Sequence, residues 1–419
     1  MNNRPQPPGA SRPGASRPGQ NTPGVIQTNP LDDGRMHLQM GPSHPAMHGT
    51  VRMELTLNGE TIEDMDVDIG YLHRGFEIEC ERHTWTQVFP YTDRLNYNSA
   101  LANNVGYALA VEKLLGIEIT DRCKYIRMIA AEIARIADHL TAIAAGALEL
   151  GGFTPMLFGM QAREEYYNLT EILCGARLTT SYCRIGGLRW DLPEGFEAAY
   201  RVAEASLHKN MADVEKMLTR NRIFVDRMAD TGAISAEDAI SWGWTGPCLR
   251  SAGVDYDIRK AHPYLFYDRM DFDVPLGHKG DNYDRYLVRI EEIKQSTAII
   301  NQCFEQIEPG PVNVDDWKIV LPPKEAVYNT IEGMIAHFKL IMDGIQVPAG
   351  EVYGYTEAPN GELGFYIVSS GAGKPYRIHC RPPCFAVVQA MRPMMIGSQL
   401  ADIVPTFDTM NMIGGEIDR

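Results

Sequence analysis

Two histidines stand four residues apart in Gly41-Pro42-Ser43-His44-Pro45-Ala46-Met47-His48-Gly49-Thr50. Imidazole is the side chain whose ordinary titration falls near neutral pH, so His44 and His48 are candidates for donating or accepting protons in one pocket. The glycines and prolines argue against a helix and for a loop held by neighbouring strands, where ligand-contacting residues concentrate. A zinc-protease helix needs His-Glu-x-x-His, and here Pro45 occupies the glutamate position. A plain pair of turn histidines bonded to backbone stays open beside the functional reading.

Other stretches offer weaker chemistry. Gly371-Ala372-Gly373-Lys374 resembles the end of a phosphate loop, but Val368 stands where the first glycine belongs and Pro375 follows the lysine, so a hairpin turn is expected. Cys380 and Cys384, next to His379, supply half a zinc site with no second cysteine pair to complete it, and two buried thiols are expected. Cys174 and Cys183 have no metal spacing and fall in or beside a helix. Glu149 lies in the apolar run Ala147-Leu148-Glu149-Leu150. It is either a solvated helix end or a buried carboxylate that needs a partner, for which histidine is the natural choice. Tyr97 follows Asp93-Arg94-Leu95-Asn96 at the start of a helix, and alone it is an amphipathic aromatic.

The elements that must position these groups are legible in outline. Residues 1–35 repeat Ala-Ser-Arg-Pro-Gly and are expected to be a disordered tail. Val51, Met53, Leu55 and Leu57 alternate with polar residues as in a half-buried strand. Asn58-Gly59 favours a tight turn, and Ile62 to Ile69 reads as the returning strand. Helical patterns dominate from Tyr91 to Phe304. The clearest runs from the N-cap Thr120 to Leu150, about 45 Å at roughly 1.5 Å per residue. Further helices are expected at 94–115, 158–180, 195–219, 284–307 and 324–341. Val352–Thr356, Leu363–Ser369 and Tyr376–Cys380 read as a small β-meander. The fold class expected is α+β: a long-helix bundle (91–310) between an N-terminal β-region carrying the histidine loop (36–90) and a C-terminal α/β region (311–419).

Composition narrows the function. A net charge of −15 over 419 residues disfavours nucleic acid and anionic lipid as direct partners. No apolar run approaches eighteen residues, and the N-terminus has no signal-peptide pattern. Eight cysteines spread through a chain of this size read as reduced thiols.

Taken together, these motifs resemble the hydrogenase-like D subunit of respiratory complex I, the proton-pumping NADH:quinone oxidoreductase. Gly41 to Gly49 is similar to that family's Gly-Pro-x-His-Pro-x-x-His-Gly. Ile69 to Glu77 resembles its Ile-Gly-x-Leu-His-Arg-Gly-x-Glu, and Tyr91 to Tyr97 its Tyr-x-Asp-Arg-Leu-x-Tyr. Ala110–Leu115, Phe272–Gly277, Gly280–Tyr286 and the ending Gly415 to Arg419 also agree, so the resemblance runs from about residue 38 to the end. It implies descent from the large subunit of nickel–iron hydrogenases and a fold of that kind. Those enzymes hold their metals with two Cys-x-x-Cys pairs, and this chain has neither. The resemblance therefore implies no metal in this chain and a quinone pocket in the old metal cavity.

It further implies roles. Tyr97 and His48 would donate to the quinone carbonyls, His44 would shape the same loop, and Glu149 would pair with His48 and favour its charged form. Arg74 would lie near a [4Fe-4S] cluster in the neighbouring B subunit, the immediate source of electrons. Implied partners are the B, C, I and H subunits of complex I, with membrane contact only through other subunits, on the cytoplasmic side of the cell membrane. Two departures from the family pattern are Glu149, where aspartate is usual, and Thr179, where many members have histidine after Gly-Ala-Arg-x. Members without that histidine tend to serve low-potential quinones, so menaquinone stands beside ubiquinone. Electron donors other than NADH also remain open. The rival readings are a hydrogenase large subunit, which would require the missing cysteines, and a structural scaffold between redox arm and membrane arm.

Overall fold

In a computed structural model of the chain, residues 34–44 and 49–419 are described. The tail expectation falls almost entirely outside them, and so does His48.

Three strands, β1 (Arg35–Met40), β2 (Arg52–Asn58) and β3 (Thr61–Asp68), form an antiparallel sheet in that order. The alternation in β2 puts Met53, Leu55 and Leu57 into an apolar cluster with Ile62 and Met65 of β3, as period two requires. The β2–β3 hairpin is the expected one, whereas β1 is an added strand whose Arg-Met-His-Leu-Gln-Met lacks β-branched residues and so carries no strand signal. The histidine loop joins β1 to β2. At its start Gly41 has φ +91°, and a Cβ there would lie 2.0 Å from the Val51 carbonyl oxygen, so only glycine fits.

Five long helices follow: α1 (Ala100–Leu115), α2 (Asp121–Glu149), α3 (Phe153–Cys174), α4 (Phe196–Leu218) and α5 (Asn282–Gln306). The Thr120 hydroxyl accepts the Cys123 N–H and starts α2. Ile126, Ile129, Ile133, Ile136, Leu140 and Ile143 of α2 are buried at helical spacing, and α2 packs against α1, α3 and α5. Three expected boundaries shift. The helix expected from 94 begins at Ala100, because Asp93 to Ser99 is spent in hydrogen-bonded turns. The one expected over 158–180 runs Phe153–Cys174 and stops at Gly175, which is left-handed. The one expected over 324–341 is two helices, Lys324–Asn329 and Ile331–Met342. Thr330 between them adopts an extended conformation and caps the second.

The C-terminal strands β4 (Gly350–Ala358), β5 (Gly361–Ser369) and β6 (Arg377–Arg381) form the expected antiparallel meander, with Gly371-Ala372-Gly373-Lys374 in the β5–β6 turn. The sheet lies on α1 so closely that a Cβ at Gly354 would meet Ala110 Cβ at 2.5 Å. The architecture is mixed α and β, as expected. Among the described residues no helix is long and apolar enough to cross a membrane.

The interior is heavily charged. Arg127, Glu132, Arg135, Asp138 and His139, all on α2, are fully buried. Arg127 clasps Glu112 of α1 through two bonds of 2.7 and 2.6 Å, and also donates to the Arg184 and Gly187 carbonyls. Arg259 and Arg135 pair with Glu132, which also accepts the Tyr267 hydroxyl at 2.6 Å. Arg250 bridges Glu292 of α5 and Glu357 of β4. His139 Nε2 donates to Glu292 at 2.7 Å, while its Nδ1 accepts from Arg289 at 3.2 Å. A ring nitrogen that accepts carries no proton, so this imidazole is neutral, and burial pushes it down to about 4.

Removing one member of a buried pair strands the other charge. Glu112→Gln is expected to cost about 3–5 kcal/mol by leaving Arg127 under-compensated. A lowered thermal midpoint of the assembled protein checks this.

Candidate active site

Tyr97 is placed by the turn before α1. Buried Asp93 accepts the Ser181 N–H and hydroxyl and the Asn104 amide. Asn96 caps the short 3-10 turn Tyr97–Ser99 by accepting the Asn98 N–H at 3.1 Å, and it donates to Asp138 at 3.1 Å. Tyr97 is thereby fixed, half-buried, against the apolar cluster that includes Met40, Met53, Phe407, Met410, Met412 and Ile413. Burial, with Asp138 and Cys384 nearby, raises the phenol above its ordinary range. Tyr97, like any phenol near neutral pH, is a protonated donor, and it faces apolar and sulfur-bearing side chains.

The histidine loop meets the same cluster. A Cβ on Gly49 would lie 3.8 Å from Phe407, and one on Gly414 would lie 3.5 Å from the Thr50 hydroxyl. His44 is half-buried at the other end of the loop. Glu149 is the last residue of α2 and is half-exposed, so of the two readings of its setting the fully buried one does not hold. Its expected pairing with His48 lies outside the described residues.

The Arg74 turn and the C-terminus are joined. Asp418 accepts the N–H groups of Gly70 and Leu72 at 2.8 and 2.6 Å, and its carbonyl oxygen lies 2.7 Å from His73 Nδ1. Arg74 donates to the carbonyls of Arg94 and Gly415, and the residue as a whole remains exposed. Two segments more than three hundred residues apart thus form one wall, next to the turn that holds Tyr97.

A polar chain behind Tyr97 escaped the sequence reading. Asp138 accepts from Asn96 and from Asn411, the latter at 2.8 Å. Asn411 donates to Asn360 at 2.8 Å, Asn360 to Cys384 Sγ at 3.5 Å, and Cys384 to Glu416 Oε2 at 2.9 Å. The available signal was Asp138-His139 within the isoleucine- and alanine-rich stretch of α2. Asn360 lies in the β4–β5 turn, where Asn-Gly signals only a turn. Cys380 and Cys384 are free and buried, as expected, and burial raises both thiols. Among the described residues no group of three His, Cys, Asp or Glu side chains is arranged to hold a metal ion.

Comparison with known proteins gives consistent matches. The family model for the 49 kDa subunit of respiratory-chain NADH dehydrogenase matches residues 149–419. The chain is 57% identical over 390 residues to the D subunit of NADH-quinone oxidoreductase from Myxococcus xanthus, covering 93% of this chain and 94% of that one. It is 57% identical over 385 residues to the D 1 subunit from Sorangium cellulosum, covering 92% and 95%. It is also 50% identical over 389 residues to the C/D subunit from Bdellovibrio bacteriovorus, covering 93% of this chain and 70% of that one.

Proposed function

The chain belongs to the family of the 49 kDa subunit of respiratory-chain NADH dehydrogenase, the D subunit of NADH-quinone oxidoreductase, and from that membership we propose that the Tyr97 region is where this complex reduces its quinone. One observation carries the assignment: a half-buried phenol, a hydrogen-bond donor at neutral pH, stands at the edge of a methionine-rich apolar cluster, against which both ends of the β1–β2 loop pack. A quinone ring is flat and apolar and carries two carbonyl acceptors. It needs apolar walls and donors of this kind, few in number and fixed in place.

Reduction takes two electrons and two protons. In the proposed arrangement Tyr97 donates to one carbonyl and His48 to the other, with His44 shaping the loop between the strands. Glu149 pairs with His48 and favours its imidazolium form, since opposite charge stabilises the protonated ring. The electrons come from a [4Fe-4S] cluster in the B subunit. Arg74, tied by two carbonyls to the wall beside Tyr97, presents fixed positive charge toward that cluster. The C subunit is a proposed neighbour on the strength of the relative in which C and D are fused. The B, I and H subunits, and a position on the cytoplasmic face of the membrane held by other subunits, complete the proposal. The lack of any Cys-x-x-Cys pair speaks against a hydrogenase large subunit. A purely structural scaffold would tolerate loss of the Tyr97 hydroxyl with turnover intact.

Tyr97→Phe keeps the ring packing and removes one hydrogen bond, expected to cost about 0.5–1.5 kcal/mol, or roughly two- to tenfold in quinone reduction. The check is quinone reduction beside oxidation of the donor with an artificial acceptor. Equal losses in both assays would show an assembly defect and sink the assignment. Glu149→Gln is expected to move the alkaline limb of the pH–rate curve to lower pH, because the imidazolium loses its anionic partner. Glu149→Asp should retain activity. Superimposed curves for Glu149→Gln and the unsubstituted complex would dismiss the pairing.

A further inference from the structure

Most buried carboxyl groups among the described residues are compensated by charge or by the backbone. Glu112, Glu132, Asp257, Glu292 and Glu357 each sit on an arginine. Asp93, Asp281, Asp284 and Asp418 accept backbone N–H groups. Asp138 and Glu416 have neither kind of compensation and are linked to each other. Both are at most 1% exposed, and among the described residues neither makes a salt bridge with arginine or lysine. Asp138 is held by the amides of Asn96 and Asn411, and Glu416 by the thiol of Cys384. His139 Nδ1 lies 3.9 Å from Asp138, but that ring is neutral because Arg289 donates to it.

The two groups are not isolated from each other or from Tyr97. Asn411, Asn360 and Cys384 link Asp138 to Glu416 through consecutive short contacts. Asn96, which holds Asp138, is the cap of the turn that begins with Tyr97. A carboxylate in a dry interior with only neutral donors is costly when charged, and the natural relief is a proton.

We propose that Asp138 and Glu416 form a proton-uptake pair for the Tyr97 site. The pair takes a proton from solvent when reduction places negative charge beside Tyr97, and it releases that proton when the product leaves. This rests on the quinone reading above and deepens it. The pair does not touch the substrate. It acts on the charge felt at Tyr97, as a positioning device for protons.

The electrostatics agree. Burial pushes Glu416 up to about 7, with Asp138 adding to the shift and the bonds from Cys384 and Asn360 opposing it. Burial also raises Asp138, against the opposing charges of Arg289 and Arg135 and the bonds from Asn96 and Asn411. The other ionisable groups facing the pair are Tyr167 from α3, Arg381 from β6 and the buried Cys380 thiol. Below its midpoint Glu416 is neutral, and negative charge can develop nearby without repulsion. Above it Glu416 is already ionised and must first be reprotonated. The quinone reductase rate is therefore expected to fall as pH rises through about 7.

The test uses the assembled complex carrying Glu416→Gln, which is neutral at every pH. Unsubstituted complex should lose several-fold in quinone reduction between roughly pH 6 and pH 8, and at pH 8, where the pair is ionised before reduction, it should gain a protonated-carboxyl band in the infrared difference spectrum on reduction. Glu416→Gln should remove the step through about pH 7, leaving only the alkaline limb set by His48, and should remove the band at pH 8, with artificial-acceptor rates unchanged. Superimposed pH profiles, or a band that persists in Glu416→Gln, would overturn the pair. If that variant does not assemble, the unsubstituted complex decides, because absence of any carboxyl band on reduction overturns the proposal. Tyr97→Phe run alongside separates the two claims. Unaffected quinone turnover there removes the site itself, whereas reduced turnover with superimposed Glu416 profiles removes only the pair.

Discussion

The structure depends on keeping charge compensated in a dry interior. Helix α2 is apolar by pattern, yet it buries Arg127, Glu132, Arg135, Asp138 and His139. Arginine–carboxylate bridges tie α2 to α1 and α5 to β4, so the helices and the C-terminal sheet cannot shift independently without breaking a buried pair. Such pairs contribute little net stability compared with apolar packing, but breaking one is costly. Their effect is to fix one arrangement of the elements.

That rigidity surrounds a place where compensation is incomplete. Moving along α2 from Arg127 toward Asp138, the partners change from charged side chains to asparagine amides. The change occurs behind Tyr97, against a cluster rich in methionine. Fully paired charges hold their protonation state over a wide pH range. Groups held only by neutral donors respond to nearby charge. The frame is thus electrostatically stiff away from the proposed quinone site and responsive next to it.

Much of this was legible in the sequence because local pattern and local chemistry coincide. The β2–β3 hairpin follows from alternation and Asn58-Gly59, and α2 from its apolar spacing and the Thr120 cap. The Gly41–Gly49 and Asp93–Tyr97 motifs drew attention to one region because a turn packs its chemistry into a few residues. The rest was hidden by distance along the chain. Asp418 meets Gly70 and Leu72 across more than three hundred residues, and Glu416 meets Cys384 from a separate short helix. No periodicity announces such contacts. Strand β1 was hidden for another reason: its side chains carry little β-propensity, and its place is set by pairing with β2.

In the proposed site Tyr97 and the β1–β2 loop hold the quinone between them. A structure of the assembled complex with quinone bound tests this most directly. One quinone carbonyl is expected within about 2.5–3.0 Å of the Tyr97 hydroxyl, with the other facing the Gly41–Gly49 loop. A headgroup seated elsewhere, with the Tyr97 hydroxyl bonded to a protein group instead, would contradict it.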